Sequence, residues 1–222
     1  MTTRDAGLTN AALRELDMHL SIQQHHQTTK SATRHIIFAQ ILHGVTALHD
    51  AGIAHLDLSL ENVFLTDDDQ VRVGDLGLAE RFHCTHNGRI LHQCPQGIAK
   101  VAYAAPEIHA SFVAGIPIDV SKADSWALGV VLWQLWTKQA LFQTPPREDQ
   151  LFHQMEQVGS AEALNACPLL RDAPKELKDL LGKLLDINPR TRLNVRDALQ
   201  HSWFFANAAA PTSPPKLKRY LD

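Results

Sequence analysis

Cysteine is scarce in this 222-residue chain, and so is any excess of one charge. The three cysteines, Cys84, Cys94 and Cys167, are odd in number and too few for a disulfide framework. Such usage fits free thiols in a reducing compartment, cytoplasmic or nuclear. Lys and Arg total 21 against 24 Asp and Glu, a net charge of −3 with the signs mixed. That balance gives no electrostatic footing for nucleic acid as a partner. No apolar run reaches the ~20 residues of a membrane span. The opening MTTRDAGLTNAALRELD also lacks the apolar stretch of a secretory signal, so no membrane partner is expected. What the chain does have is length enough to bury a core without covalent staples.

The most informative stretch is Ile53–Gly77, IAHLDLSLENVFLTDDDQVRVGDLG, in which the polar residues Asp57, Asn62 and Asp75 stand out. Between the last two lie an apolar run, Val63–Leu65, a polar tip, Thr66–Gln70, and an alternating run, Val71–Val73. Two such runs joined by a short acidic tip predict a β-hairpin. Antiparallel pairing then puts Asn62 and Asp75 at the same end of it. An amide oxygen and a carboxylate there make a clamp for Mg²⁺, which takes few protein oxygens and completes its shell with phosphate and water. Asp57, on the same loop, can reach the same space. Singly, each of the three is what an ordinary turn uses, because Asp and Asn bond nearby backbone. Their ordered occurrence within a longer pattern is what points to chemistry.

His55-Leu56-Asp57-Leu58-Ser59-Leu60-Glu61-Asn62 resembles the catalytic loop of protein kinases, H-R-D-L-x-x-x-N. Asp75-Leu76-Gly77 resembles D-F-G, and Ala105-Pro106-Glu107 is A-P-E. The resemblance covers roughly residues 15–205. It implies a mainly α fold, the helical bundle of a kinase C-terminal lobe with a small β-hairpin at the catalytic loop. It also implies ATP and Mg²⁺ as cofactors and a protein as substrate, with transfer of the γ-phosphate to Ser or Thr. By the same resemblance Asp57 orients the acceptor hydroxyl and takes its proton, while Asn62 and Asp75 hold Mg²⁺ and with it the nucleotide. Asp124, at the head of a D-x-W-x-x-G run, braces the catalytic-loop backbone, and Arg192 pairs with Glu107 in a buried ion pair.

A kinase also needs a β-rich lobe with a Gly-rich phosphate loop and an ATP-binding lysine. Here the first lysine is Lys30, and Gly7 is the only glycine before Gly44. The N-terminal β-rich lobe is therefore expected to be absent, and the chain alone to bind ATP poorly, as a truncated kinase or an incomplete gene model would. The expected domains are a helical and polar segment, 1–30, a C-lobe, 31–205, and a disordered tail, 206–222. Within the C-lobe lie the catalytic loop, 55–62, and the activation segment, 75–107.

Three departures from the family pattern involve four positions. Leu56 replaces the arginine that commonly receives an activation-loop phosphate. Leu76 replaces Phe, an exchange expected to keep its packing role. Ser59 and Lys100 stand where Ser/Thr kinases usually carry Lys and Thr, the two residue types exchanged. A reciprocal swap keeps one cation and one hydroxyl beside Asp57, with Lys100 supplying the charge that faces the γ-phosphate. The competing reading is degeneration of both positions in an inactive enzyme.

The rest of the chain reads as scaffold. Apolar spacing predicts helices over 8–20 and 31–49, the latter with Ile37, Phe38, Ile41, Val45 and Leu48 on one stripe and a stop at Gly52. Residues 124–138 are apolar nearly all round, as in a buried helix. Leu151, Phe152, Met155 and Val158 form a core stripe, as do Leu177, Leu180, Leu181, Leu184 and Leu185, and Asn194 is placed to cap the last helix. His25 and His26 read as surface residues, and Cys84 and Cys94 with their neighbouring histidines do not have the spacing of a structural zinc site. Two functional classes follow: a Ser/Thr-type protein kinase, or a catalytically inactive kinase-like lobe that binds partner proteins through an apolar surface.

Overall fold

A computed structural model describes residues 31–66, 70–82, 100–142 and 148–205. The predicted helix at 8–20, the histidines at 25 and 26, the hairpin tip at 67–69, the thiols of Cys84 and Cys94 and the tail from 206 lie outside the described residues.

The described chain is mainly helical. Helix α1, Ser31–Asp50, buries Ile37, Phe38, Ile41, Leu42 and Val45, and packs this face on the centre of the molecule. Leu48, placed by its spacing on the same stripe, is only half-buried. The helix closes where Ala51 N–H donates to Ala47 O and Gly52 N–H to His49 O, at 3.2 and 3.0 Å. Gly52 then takes φ +71°, a left-handed turn that suits a residue without Cβ. Strand β1, Ile53–Ala54, follows, and the short antiparallel hairpin of β2, Val63–Leu65, and β3, Val71–Val73, comes next. The hairpin has the predicted strands, paired Val63 to Val73 and Leu65 to Val71. It is braced from α1, where Gln40 Oε1 accepts from Val71 N–H at 2.7 Å. Strand β4, Glu80–Arg81, pairs antiparallel with β1, and these two ladders are the only sheets among the described residues.

The remaining helices are α2, Pro106–Ala114, α3, Val120–Thr137, α4, Gln150–Val158, α5, Ser160–Ala166, α6, Lys175–Leu184, and the single turn α7, Val195–Ala198. Helix α3 is the hub. Val130, Leu128 and Trp126 are wholly buried, as expected of a helix without a polar face, and α1, α6 and α7 all pack on it. It starts four residues before the sequence pattern placed it, because the Asp119 carboxylate caps it, Oδ1 accepting from Ser121 N–H at 3.0 Å. No described helix is long and apolar enough to cross a membrane.

Two expectations need correction. Val158, assigned to the core by its spacing, is 58% exposed, since it sits in the last turn of α4, where the helix runs out at Gly159. Asn194 occupies the N-cap position of α7 but makes no capping bond; its amide donates to Asp197 Oδ2 at 3.0 Å instead. The leucine stripe of α6 is buried throughout. Leu185, just past its end, approaches Gly129 so closely that a Cβ there would stand 2.7 Å from Leu185 Cγ and Cδ2. Gly129→Ala is therefore expected to destabilise the fold by about 1–3 kcal/mol through overpacking. A chemical-denaturation curve checks this; an unchanged midpoint would show that α3 and α6 can separate freely.

Candidate active site

The site is built on the loop between β1 and β2, whose shape is fixed by one side chain of α3. The buried Asp124 carboxylate accepts from two successive backbone donors, His55 N–H on Oδ2 and Leu56 N–H on Oδ1, each at 2.8 Å. Two adjacent amides can converge on one anion where the chain changes handedness, the nest geometry. Leu56 accordingly has φ +62°, a conformation that costs a non-glycine residue about 1–2 kcal/mol. Its side chain is half-buried against the core, which contributes in the other direction. His49 adds a third donor, its Nε2 lying 2.8 Å from Asp124 Oδ2. His55 ties the loop to the far side of the hairpin. Its Nδ1 accepts from Asp57 N–H at 3.3 Å, and its Nε2–H donates to Gly74 O at 2.9 Å.

Asp57 and Asn62 are then set against each other. Asn62 lies in a 3₁₀ turn, Leu60–Asn62, and is buried, and its Nδ2 donates to both Asp57 O at 2.7 Å and Asp57 Oδ2 at 2.9 Å. This spends the donor side of the amide, leaving Asn62 Oδ1 and Asp57 Oδ1 as acceptors without a hydrogen bond among the described residues. Gly74 N–H donates to Asn62 O at 3.0 Å, so the hairpin register puts Asn62 across from Gly74, one residue before Asp75. Asp75 is exposed with φ +61°, and its Oδ1 accepts from Gly77 N–H at 3.3 Å. An amide oxygen and an exposed carboxylate at one hairpin end are hard oxygen donors of the kind Mg²⁺ takes. The donor set fits the cation, and no cluster of three or more His, Cys, Asp or Glu offers another metal site among the described residues.

Ser59 and Lys100 meet. Lys100 Nζ donates to Ser59 Oγ at 2.8 Å, and its ammonium also reaches Glu61 Oε2 at 2.5 Å. The Ser59 hydroxyl is fully buried, while Lys100 and Glu61 are each about a third exposed, at 33% and 39%. Tyr103 follows Lys100 on a 3₁₀ turn, Val101–Tyr103, and its OH donates to Gln134 Oε1 on α3 at 2.7 Å. Burial pushes the Tyr103 phenol up, so it remains a donor across the neutral range. Leu76 does not behave as the pattern implied. It is 48% exposed rather than packed, and Leu78 beside it is 38% exposed. An apolar side chain keeps a packing role only if something lies over it, and among the described residues nothing buries this one.

Sequence reasoning identified Asp57, Asn62, Asp75, Ser59, Lys100 and Asp124, but it missed His49 and Glu61. Neither left a signal. His49 looks like one more polar residue near the end of α1, and Glu61 like a solvated acid in a turn.

The end of the activation segment, where it enters α2, is anchored by Arg192, whose side chain is wholly buried. Its two terminal nitrogens donate to Glu107 Oε1 and Oε2 at 2.5 and 3.0 Å, a bidentate pair. Nε donates to Asp186 O at 2.7 Å, Nη1 also to Lys122 O at 2.8 Å, and the group lies 5.1 Å over the Trp126 ring. Arg192→Ala leaves the Glu107 carboxylate without its partner, at a cost on the order of 3–5 kcal/mol. The expected readout is a melting midpoint lowered by roughly 6–20 °C. A wild-type midpoint would count against the pairing.

Comparison with known proteins agrees with this geometry. Residues 8–204 match the family model described as the protein kinase domain. A probable serine/threonine-protein kinase of Dictyostelium discoideum is 29% identical over 170 residues, which are 77% of this chain and 18% of that protein. CBL-interacting protein kinase 26 of Oryza sativa subsp. japonica is 30% identical over 75% of this chain and 31% of its own length. Cyclin-dependent kinase 11 of Dictyostelium discoideum is 30% identical over 77% of this chain and 51% of its own. The chain thus spans between 18% and 51% of the length of these relatives. With a loop braced by Asp124, a hairpin that carries its polar residues at one end, and a match over nearly the whole chain, the protein belongs to the protein kinase family and is of the serine/threonine-kinase type.

Proposed function

We propose that the site transfers the γ-phosphoryl group of ATP to a serine or threonine hydroxyl of a protein. The observation that carries this reading is the Asn62 amide held against Asp57 at two points, 2.7 and 2.9 Å. With Oδ2 engaged by Asn62, Asp57 Oδ1 is the oxygen that receives the acceptor hydroxyl. Asp57 orients that hydroxyl and takes its proton as the oxygen attacks phosphorus. Asn62 Oδ1 and the Asp75 carboxylate are the groups that would hold Mg²⁺. When bound, Mg²⁺ with ATP supplies the phosphoryl group and the neutralisation of its charge. Lys100, bonded to Ser59 at 2.8 Å, stands in for the cation that the catalytic loop itself usually provides.

A second reading has one observation in its favour. The exposed Leu76 and Leu78 give the site an apolar border, which suits a lobe that works by binding another protein.

Joining the chain to the small lobe of a serine/threonine kinase relative separates the two readings. Phosphotransfer predicts that the joined protein labels Ser/Thr peptides and that Asp57→Asn lowers kcat by about 10²–10⁴-fold, with the melting midpoint little changed. Lys100→Ala is expected to lower kcat by about 10²–10³-fold, as for other preorganised donors, and Ser59→Lys with Lys100→Thr to restore it. Peptide labelling that survives Asp57→Asn would overturn the assignment. Labelling indifferent to Lys100→Ala would overturn the exchange of Ser59 and Lys100.

A further inference from the structure

The Lys100 ammonium has three N–H donors and two oxygens of the loop within reach. One N–H goes to the Ser59 hydroxyl at 2.8 Å, a group fully buried in the loop floor. Glu61 Oε2 lies 2.5 Å from the same Nζ as its ion-pair partner. Both partners belong to the same short stretch that ends in Asn62, so their positions are fixed by the loop that carries Asp57. Lys100 keeps 33% of its side-chain surface, so it is still open to solvent beside the loop. A flexible four-carbon stem ordinarily leaves an ammonium poorly placed. Here two acceptors on rigid backbone fix it, one buried and one at the rim.

We infer that Glu61 is a positioning residue: together with Ser59 it holds Lys100 so that a remaining N–H of the ammonium takes an oxygen of a phosphoryl group. The inference rests on the phosphotransfer reading for the identity of that group, but the positioning is a property of these three side chains alone. Two effects of Glu61 oppose each other. Its charge offsets that of Lys100, weakening attraction for any anion, and its fixed place removes the cost of ordering a long side chain. An exposed ion pair is worth little, so the loss of attraction is small. Placement within a few tenths of an ångström is what decides whether a donor acts on a transferring group, so the second effect prevails.

Acylation of lysines in the intact chain, followed by mass spectrometry, tests this without depending on turnover. Lys100 is expected to react more slowly than the exposed Lys175. Glu61→Gln should raise the Lys100 rate about two- to five-fold, the range an exposed pair supports. Glu61→Asp should give an intermediate rate, and Glu162→Gln, on a distant exposed carboxylate, none of the change. Mg·ATP at saturating concentration should protect Lys100 in the wild type and protect it less in Glu61→Gln. Mg·ADP and inorganic phosphate, run in parallel, show whether the protecting oxygen comes from the terminal phosphoryl group or from any phosphate. A Lys100 rate unmoved by Glu61→Gln overturns the positioning, as does stronger Mg·ATP protection in Glu61→Gln than in the wild type. Protection of Lys100 that is lost in Glu61→Gln, in a protein whose joined form labels no peptide, supports the positioning and counts against phosphotransfer alone.

Discussion

Everything in the site depends on one buried carboxylate. Asp124 gathers His55 N–H, Leu56 N–H and His49 Nε2 onto its two oxygens, each at 2.8 Å. The two backbone donors would otherwise be short of partners, and an unsatisfied buried N–H costs about 1–3 kcal/mol. That penalty, together with the burial of Leu56, outweighs the strain of its left-handed backbone. The loop is therefore held from below by the hub helix and needs nothing above it to take its shape. From that fixed turn the rest follows along the chain: His55 reaches the hairpin, Asp57 is turned toward Asn62, and the 3₁₀ turn presents Glu61 to Lys100.

A division of labour results. The helical layer carries the hydrophobic stability, with Trp126, Leu128 and the α6 leucines wholly buried. Polar groups of the catalytic loop and hairpin make few but specific bonds, and their acceptors run from buried Asn62 through half-buried Asp57 to exposed Asp75. The Glu107–Arg192 pair lies where the segment carrying Lys100 and Tyr103 enters α2. Both ends of the segment are thus anchored to the helical lobe, at β4 through its ladder with β1 and at Glu107 through Arg192.

How much of this the sequence made legible depended on the kind of force involved. Hydrophobic periodicity writes itself into residue spacing, so α1, α3 and the α6 stripe could be read directly. The hairpin was legible because its two apolar runs flank an acidic tip, and the Glu107–Arg192 pair because both residues sit in recognisable motifs. Bonds between distant elements leave no such trace. Nothing about His49 foretold its contact with Asp124, and nothing about Glu61 its contact with Lys100. Spacing also failed at ends of elements, where Val158 falls in a last turn that faces solvent and Asn194 turns to a side chain instead of an amide. Leu76 shows a further limit: apolar character predicts that a residue can pack, not that a partner is there to receive it.

The central claim is that the helical lobe builds the catalytic loop by itself, through Asp124. Amide hydrogen exchange at His55 and Leu56, measured on the chain without nucleotide, tests it most directly. The account predicts protection at both amides close to that of the α3 core, and its loss at both in Asp124→Ala while α6 stays protected. Exchange at His55 and Leu56 as fast as at an open loop, in the wild-type chain, would contradict it.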